Sequence, residues 1–119
     1  MNKLIAITIG DINGIGLDIL IKTWREKRIK NFILVTNIKI LIKVLRKRKI
    51  KLILNQVNNE NKKFVFLKNK FNIFSYESNS FADNTYKSLK YGYNLCKDKK
   101  CIGVLTLPLR KDLIKNKIN

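Results

Sequence analysis

An apolar run that turns through glycines directly into a helical pattern constrains the fold of this chain more than any other feature. The segment "ITIGDINGIGLDIL", residues 7–20, holds three glycines between positions 10 and 16. Residues 4–9 are mostly apolar and rich in β-branched side chains, which is typical of a strand buried on both faces. The apolar residues after the glycines recur at the spacing of one helical face, at Leu17, Leu20, Ile21 and Trp24. The pattern therefore predicts a strand, a glycine loop and a helix in direct succession.

The same alternation continues along the chain. Residues 32–36 predict a second buried strand, and Asn37 is a suitable N-cap for the helix that follows. Residues 51–57 predict a third strand, and the polar segment "NNENKK" after it a loop. Shorter strand-like runs lie at 64–67 and 71–76.

A long helix is predicted next, over residues 82–96. One face of this helix carries its larger side chains, at Ala82, Tyr86, Leu89, Tyr93 and Cys96, and we expect that face to point into the core. Gly92 weakens the helix by about 1 kcal/mol relative to alanine. Residues 101–107 predict another buried strand that ends at Pro108, and residues 111–117 the start of another helix. Strands separated by helices predict a layered α/β fold with a largely parallel sheet.

The positive charge of the chain raises nucleic acid or an anionic membrane as possible partners. The 26 Lys and Arg residues exceed the 8 Asp and Glu residues, for a formal charge of +18. The cations are spread over nearly every segment, and Lys, Asn and Ile dominate the composition, as AT-rich codons alone would produce. The one dense cluster, "RKRKIK" at residues 46–51, contains no aromatic residue for base stacking and lies at a predicted helix end. These observations argue against nucleic acid as the partner.

The cysteines and the hydropathy pattern restrict the chain further. Cys96 and Cys101 are the only cysteines and there is no histidine, so the residues do not complete a four-ligand zinc site, and no metal site is predicted. The N-terminal apolar run is broken by Thr8, Gly10 and Asp11, and no run approaches membrane-spanning length. We therefore expect a cytoplasmic protein with reduced cysteines and no membrane partner.

The glycine loop is the first candidate site. Ligands of open α/β sheets bind beyond the carboxyl ends of the strands, where a glycine permits positive φ or lets a ligand approach the backbone closely. Asp11 could orient a hydroxyl or ammonium group, or only hydrogen-bond within the turn. A tight turn that binds nothing stays open as an alternative.

The spacing of the loop is G-x-x-x-G-x-G rather than the G-x-G-x-x-G of the dinucleotide fingerprint. It resembles the nucleotide loop of short-chain dehydrogenases, and Tyr86 with Lys90 matches the Tyr-x-x-x-Lys pair of that family. In that family, however, the loop glycine directly follows a threonine, whereas Ile9 intervenes here, and the pair lies farther downstream. An NAD(P)-binding fragment of this type is one alternative function, and a basic nucleic-acid-binding module is another.

A second resemblance spans residues 5–114 and rests on three motifs. "IAITIGDINGIGLDIL" resembles the N-terminal signature of the 4-hydroxythreonine-4-phosphate dehydrogenase family. The matching positions of this signature are Thr8, Gly10, Asp11, Gly14, Ile15, Gly16 and Asp18. "FADNTYKSL" is similar to the family's Ala-Glu-Asn-Gly helix start at Ala82, Asn84 and Leu89, and "VLTLPLRKDLI" retains Thr106, Pro108 and Lys111 of a Thr-Gly/Ala-Pro-Ile-Asn-Lys segment.

The resemblance implies a three-layer α/β fold of the isocitrate and isopropylmalate dehydrogenase type. It also implies NAD-dependent oxidation and decarboxylation of 4-phosphohydroxy-L-threonine in pyridoxine and pyridoxal phosphate biosynthesis, assisted by a divalent metal (Zn, Mg or Co), in a homodimer. In such enzymes the metal polarises the hydroxyl that is oxidised. The family's metal-binding histidines lie beyond the position that matches Asn119. We therefore expect residues 1–119 to be the N-terminal portion of a two-domain dehydrogenase, without the C-terminal active-site portion and inactive alone.

No catalytic residue and no metal ligand of the family carries over to this chain, and we expect neither NAD nor the metal to bind it fully. The motif positions expected to face the cleft are Gly10, Asp11, Gly14, Gly16, Thr106 and Lys111. Helix capping or plain solvation is an equal alternative for the last two. The chain departs from the family pattern at Ile12, Asn13, Leu17, Leu107 and Arg110. Without later strands, exposed sheet edges and apolar faces should make the chain prone to aggregation unless a missing C-terminal half docks on it.

Overall fold

The protein is described by a computed structural model that defines residues 3–59 and 63–108. Five strands and three helices follow one another in the order β1 (Ile5–Thr8), α1 (Ile15–Arg25), β2 (Phe32–Val35), α2 (Ile38–Lys47), β3 (Leu54–Gln56), β4 (Phe71–Phe74), α3 (Phe81–Lys97) and β5 (Gly103–Thr106). The helix predicted at 111–117 lies outside the described residues.

The five strands form one sheet in the order β3-β4-β2-β1-β5, and every neighbouring pair is parallel. β1 lies between β2 and β5, with Ile5 opposite Phe32 on one side and opposite Gly103 on the other. The predicted α/β fold with a parallel sheet is therefore confirmed.

Two apolar clusters cover the two faces of the sheet. In the larger one, α1 and α2 pack on the first face, with Leu17 and Leu41 against Ile7 and Leu34. In the smaller one, α3 covers the second face through Leu95, together with residues of β1 and β2. The three layers expected from the sequence are thus present, with two helices on one side and one on the other.

One predicted strand is absent. Residues 64–67 form only an isolated antiparallel bridge between Asn58 and Phe64. Val65 N donates to Val57 O at 2.9 Å. Other backbone groups are bound by side-chain amides, since Asn55 Nδ2 donates to Val65 O at 2.8 Å and Leu67 N donates to Asn72 Oδ1 at 3.0 Å. Asparagine side chains therefore occupy the positions that a neighbouring strand would need.

The orientation predicted for α3 is wrong. Its buried residues are Asn84, Ser88, Gly92 and Leu95, whereas Tyr86 and Tyr93 of the predicted core face are 65% and 67% exposed. The sheet-facing side is polar or small because α3 lies very close to β1. A Cβ atom added at Gly92 would lie 2.4 Å from Thr8 Cγ2, and Ser88 Oγ accepts from Ile9 N and donates to Val35 O.

All three helices end in the same way. The residue after each C-cap is a lysine with positive φ, at 59° for Lys27, 58° for Lys49 and 61° for Lys99. In each case the backbone N–H of this lysine and of the next residue donate back into the last turn, for example Lys49 N to Arg46 O and Ile50 N to Leu45 O. These bonds define the Schellman motif, in which glycine normally takes the left-handed position.

One side of the molecule is apolar and exposed. β5 is an edge strand, and the described residues offer no strand beyond it. Val104 and Leu105 of β5 are exposed, as are Tyr86, Leu89 and Tyr93 on the outer face of α3. Cys96 is half-buried and Cys101 buried, and both are free thiols. No helix within the described residues is long and apolar enough to cross a membrane.

Candidate functional site

Three segments that are distant in the sequence meet where β1 and β5 end. Residues 9–14 leave the carboxyl end of β1, residues 107–108 leave the carboxyl end of β5, and the second turn of α3 contacts the first of these segments at Gly10. Parallel strands end at the same edge of a sheet, and this edge is where α/β folds place their ligands. The three segments are the same ones that carry the sequence motifs.

Gly10 is the meeting point. Thr85 Oγ1, in the second turn of α3, donates to Gly10 O at 3.0 Å. Asp11 N donates to Pro108 O at 3.2 Å, and Leu107 N donates to Thr8 O at 2.9 Å. A Cβ atom at Gly10 would lie only 2.3 Å from Leu107 O and 2.5 Å from Pro108 O. The glycine therefore allows two backbone segments of this chain to touch.

This geometry corrects the conformational argument made from the sequence. None of the five glycines has positive φ, so none is required for a left-handed turn. The space in front of Gly10 is filled by the chain's own backbone rather than left open for a ligand. Contact of the Gly10 position with a ligand remains a prediction.

Asp11, Gly14 and Gly16 shape the entry into α1. Asp11 Oδ1 accepts from Asn13 N at 3.0 Å and Asp11 O accepts from Gly14 N at 2.9 Å, so the carboxylate holds an Asx turn. Gly14 is the N-cap of α1 and offers no side-chain cap. A Cβ atom at Gly16 would lie 3.0 Å from Pro108 Cδ and 3.3 Å from Leu107 Cβ. Leu107, a departure from the family motif, thus packs over a glycine and onto the larger apolar cluster.

Thr106 is exposed at the end of β5. Its hydroxyl oxygen accepts from Thr8 Oγ1 at 2.9 Å, which couples the ends of the two neighbouring strands. The structure therefore brings together five of the six candidate positions: Gly10, Asp11, Gly14, Gly16 and Thr106. Lys111, the sixth, lies outside the described residues. Tyr86 and Lys90, the pair that resembles short-chain dehydrogenases, are both exposed on α3.

A buried polar network beside the site was not anticipated. Asn84 is fully buried, and its Oδ1 accepts from Asn37 N at 2.9 Å. Its Nδ2 donates to Thr36 Oγ1 at 3.1 Å, and Tyr76 OH lies 2.7 Å from Oδ1. Burial raises the pKa of Tyr76 well above its ordinary value. Asn84 belonged to a matched motif, but no sequence pattern singled out Tyr76.

The network fixes the ends of β2 and β4, where the chain departs in opposite directions. β2 leads into α2 on one face of the sheet, whereas β4 leads into α3 on the other. Adjacent strands that diverge in this way open a crevice at the carboxyl edge. A cavity of about 600 Å³ lies there, and it is lined by Asn37, Lys39, Gln56, Tyr76, Glu77 and Lys87 among others.

The described residues do not fit a metal centre by themselves. They contain no group of three or more His, Cys, Asp or Glu side chains placed to share an ion. The Gly10 loop does not form a phosphate cradle either, since Leu107 and Pro108 occupy the adjacent space. This edge of the sheet can form one side of an active site.

Comparison with known proteins identifies the fold. No family model and no curated protein matches the sequence. Three solved structures named as 4-hydroxythreonine-4-phosphate dehydrogenases match over nearly the whole chain. The structure from Salmonella typhimurium matches with a TM-score of 0.74 and 19% sequence identity, over 95% of this chain and 40% of that one. The structure from Klebsiella pneumoniae matches with a TM-score of 0.70 and 18% identity, over 95% of this chain and 39% of that one. The structure from Burkholderia phymatum matches with a TM-score of 0.66 and 15% identity, over 97% of this chain and 39% of that one. The chain therefore has the fold of these dehydrogenases and spans about two fifths of their length.

Proposed function

We propose that this chain supplies the N-terminal wall of an NAD-dependent and metal-dependent dehydrogenase that oxidises 4-hydroxythreonine-4-phosphate in pyridoxine and pyridoxal phosphate biosynthesis. The substrate would be a phosphorylated hydroxy-amino acid that loses carbon dioxide after oxidation. The histidines that hold the metal, and most groups that touch the substrate, would come from protein outside residues 1–119. Taken alone, the chain would be inactive.

The convergence of the three motifs carries this proposal. Gly10 and Pro108 are matched positions of two motifs, Thr85 lies within the segment of the third motif where the family has glycine, and all three take part in one hydrogen-bonded junction. The fold supports the same proposal, because it matches solved 4-hydroxythreonine-4-phosphate dehydrogenase structures over 95 to 97% of this chain. The junction also lies at the carboxyl edge of the sheet, where this class of fold binds its ligands.

The described residues would hold one side of the active site in position rather than take part in the chemical step. Thr8 and Thr106 link the ends of β1 and β5, and Asp11 holds the loop between β1 and α1 in one conformation. A wall fixed in this way reduces the conformational entropy lost when substrate binds. When bound, the metal would polarise the hydroxyl to be oxidised.

The exposed apolar side of the molecule agrees with a missing structural partner. β5 presents an open edge, and Leu105, Leu89 and Tyr93 lie exposed beside it. Exposed apolar patches next to an unpaired strand are typical of surfaces that another part of a protein covers. We propose that the remainder of the fold packs there, either as a C-terminal half or together with a second copy in a homodimer.

The first test is the nucleotide sequence beyond the codon for Asn119, read in all three forward frames. We expect a frame that encodes the missing histidine segment, either continuous with this chain or with its own start. The encoded polypeptide, combined with residues 1–119, should reduce NAD in the presence of 4-hydroxythreonine-4-phosphate and a divalent metal, and neither part alone should do so. Absence of such a segment in every frame would contradict the proposal.

A junction variant and a control variant link the reconstituted activity to the junction. Gly10→Ala should abolish NAD reduction, because its Cβ would lie within 2.3 Å of a backbone oxygen that has no room to move. Lys43→Ala is the control, since Lys43 is exposed on α2, away from both the junction and β5, and it should leave the activity unchanged. Equal activities of the two variants would show that the junction does not shape the active site.

A further inference from the structure

We propose that a second cavity, at the amino ends of β2 and β4, binds a nucleoside phosphate, either free or as one unit of a single strand. This amino-end cavity has a volume of about 520 Å³, within the range of small-molecule sites. One wall is formed by the last turn of α1 and the loop into β2, and the other by the loop that precedes β4. It lies at the opposite end of the sheet from the Gly10 junction, so it is independent of the proposed dehydrogenase site.

Cations dominate the lining of the amino-end cavity. Five of its twelve lining residues are basic, namely Arg25, Lys27, Lys30, Lys68 and Lys70, and none is acidic. Across the chain the basic share is only 26 of 119 residues, so folding concentrates charge that is dispersed in the sequence. Several like charges around one cavity repel each other, and a bound anion removes that repulsion.

These lysines are not neutralised from within the described part of the chain. The three ion pairs found there join Arg28 to Glu26, Arg48 to Asp18 and Lys87 to Asp83, and none includes a cation of the cavity. Of the five, Arg25 donates its Nη2 to Lys51 O at 2.7 Å. The charge of the cavity is thus available to a phosphate, which Lys binds as a point charge.

Aromatic side chains in the cavity favour a ligand that carries a planar base as well as a negative charge. Trp24 and Phe66 line it and are both half-buried. The Trp24 ring is held edge-to-face against Phe71, with 5.3 Å between ring centroids. An indole fixed beside a group of lysines offers a stacking surface for a base next to a site for its phosphate, the combination that nucleotide-binding sites use.

Both walls are preformed. Asn72 is buried and holds the turn that bears Lys68 and Lys70, since its Oδ1 accepts from Leu67 N while its Nδ2 donates to Leu67 O and to Lys70 O. On the other wall, Lys27 N donates to Trp24 O and Arg28 N to Thr23 O, which closes the end of α1. Little ordering entropy is therefore lost when a ligand enters.

The experiment measures the fluorescence of Trp24 while a nucleotide is added. Trp24 is the single tryptophan of the chain, so its fluorescence reports on the amino-end cavity alone. We expect adenosine 5′-monophosphate to quench it saturably, and added salt to weaken the binding. Adenosine and inorganic phosphate should each compete far less well than the nucleotide. If either competes equally, or if neither quenching nor retention in equilibrium dialysis is seen, the proposal is wrong.

Matched variants separate the cavity from the overall charge. Lys30→Gln with Lys68→Gln removes two cations of the cavity, and Lys43→Gln with Lys47→Gln removes two exposed cations of α2 outside it. The first pair should weaken nucleotide binding roughly fivefold, as expected for two partly screened contacts, and the second should not. Equal losses would attribute binding to diffuse charge and overturn the proposal.

An oligoadenylate that binds more tightly than the mononucleotide would identify a single strand as the source of the ligand; equal or weaker binding would identify the free nucleotide.

Discussion

Replacing Gly92 by alanine tests the close packing of α3 on the sheet. An alanine in a helix is worth about 1 kcal/mol more than a glycine, so propensity alone predicts a more stable protein. In the structure, however, the added Cβ would lie 2.4 Å from Thr8 Cγ2. Thr8 is fully buried in β1, an interior strand of the sheet, and its hydroxyl is bound to Thr106, so its methyl group has no alternative position that keeps this bond.

The two effects have opposite signs, and the steric one is larger. Overpacking a well-filled interior costs about 1 to 3 kcal/mol. A buried interior strand gives way little, so the steric cost lies at the upper end of this range. With the helical gain subtracted, Gly92→Ala should destabilise the protein by about 1 to 2 kcal/mol. Urea unfolding followed by circular dichroism measures this change.

A second substitution isolates the methyl group. Thr8→Ser removes Cγ2 and keeps the hydroxyl that binds Thr106. In this background Gly92→Ala should become neutral or stabilising by up to about 1 kcal/mol. Gly103→Ala controls for the general effect of replacing a glycine, because its Cβ meets nothing within 4 Å. If Gly92→Ala is equally destabilising with Thr8 and with Ser at position 8, the reasoning from the contact is refuted.

Three further predictions concern individual side chains. Lys49→Gly should stabilise the protein by about 0.5 to 1 kcal/mol, because glycine adopts the left-handed position without strain, whereas Lys47→Gly inside α2 should destabilise it by about 1 kcal/mol; urea midpoints with the same sign for both would contradict this. Burial raises the pKa of Cys101 to about 11, so iodoacetamide should alkylate it far more slowly than Cys96 in the folded protein and at a similar rate after unfolding, as peptide mapping would show. Because the folded pKa of Tyr76 is raised, its contribution to stability is complete below its unfolded pKa of about 10 and is lost as the pH rises above that value. Tyr76→Phe should therefore lose less stability than the wild type between about pH 9 and pH 11, and parallel urea curves for both proteins would argue against this.

Local pattern was sufficient to predict the order of elements and the parallel sheet. Runs such as residues 32–35 are apolar throughout because β2 is covered on both faces, and Asn37 caps α2 as predicted, accepting from Ile40 N at 2.9 Å. The orientation of α3 was not predictable from apolar spacing. Its buried face carries Asn84, Ser88 and Gly92, whose partners come from β1 and from the loop after β2. Only the folded structure supplies those partners.

The candidate site was predictable as a set of positions but not as a geometry. Motif matching identified Gly10, Asp11 and Pro108, and parallel pairing of β1 with β5 brings them together. The reason for the glycine at position 10 is a contact with residues almost a hundred positions away, which no local signal contains. The sequence did not predict the amino-end cavity for the same reason. Nothing in the sequence distinguishes Lys30 and Lys68 from the other lysines, and only the fold brings them to one cavity.

The position of β1 between β2 and β5 also sets an order of events during synthesis. Thr8 and Thr106, which are hydrogen-bonded in the finished sheet, are 98 residues apart. At translation rates of about 5 to 20 residues per second, β1 waits about 5 to 20 s for its second neighbour. During that time one edge of β1 lacks its β5 neighbour, and the glycine loop that follows β1 lacks its contacts with residues 107–108. A nascent chain built in this way is expected to depend on the chaperones that bind unpaired strands, and to form its Gly10 junction as one of the last steps of folding.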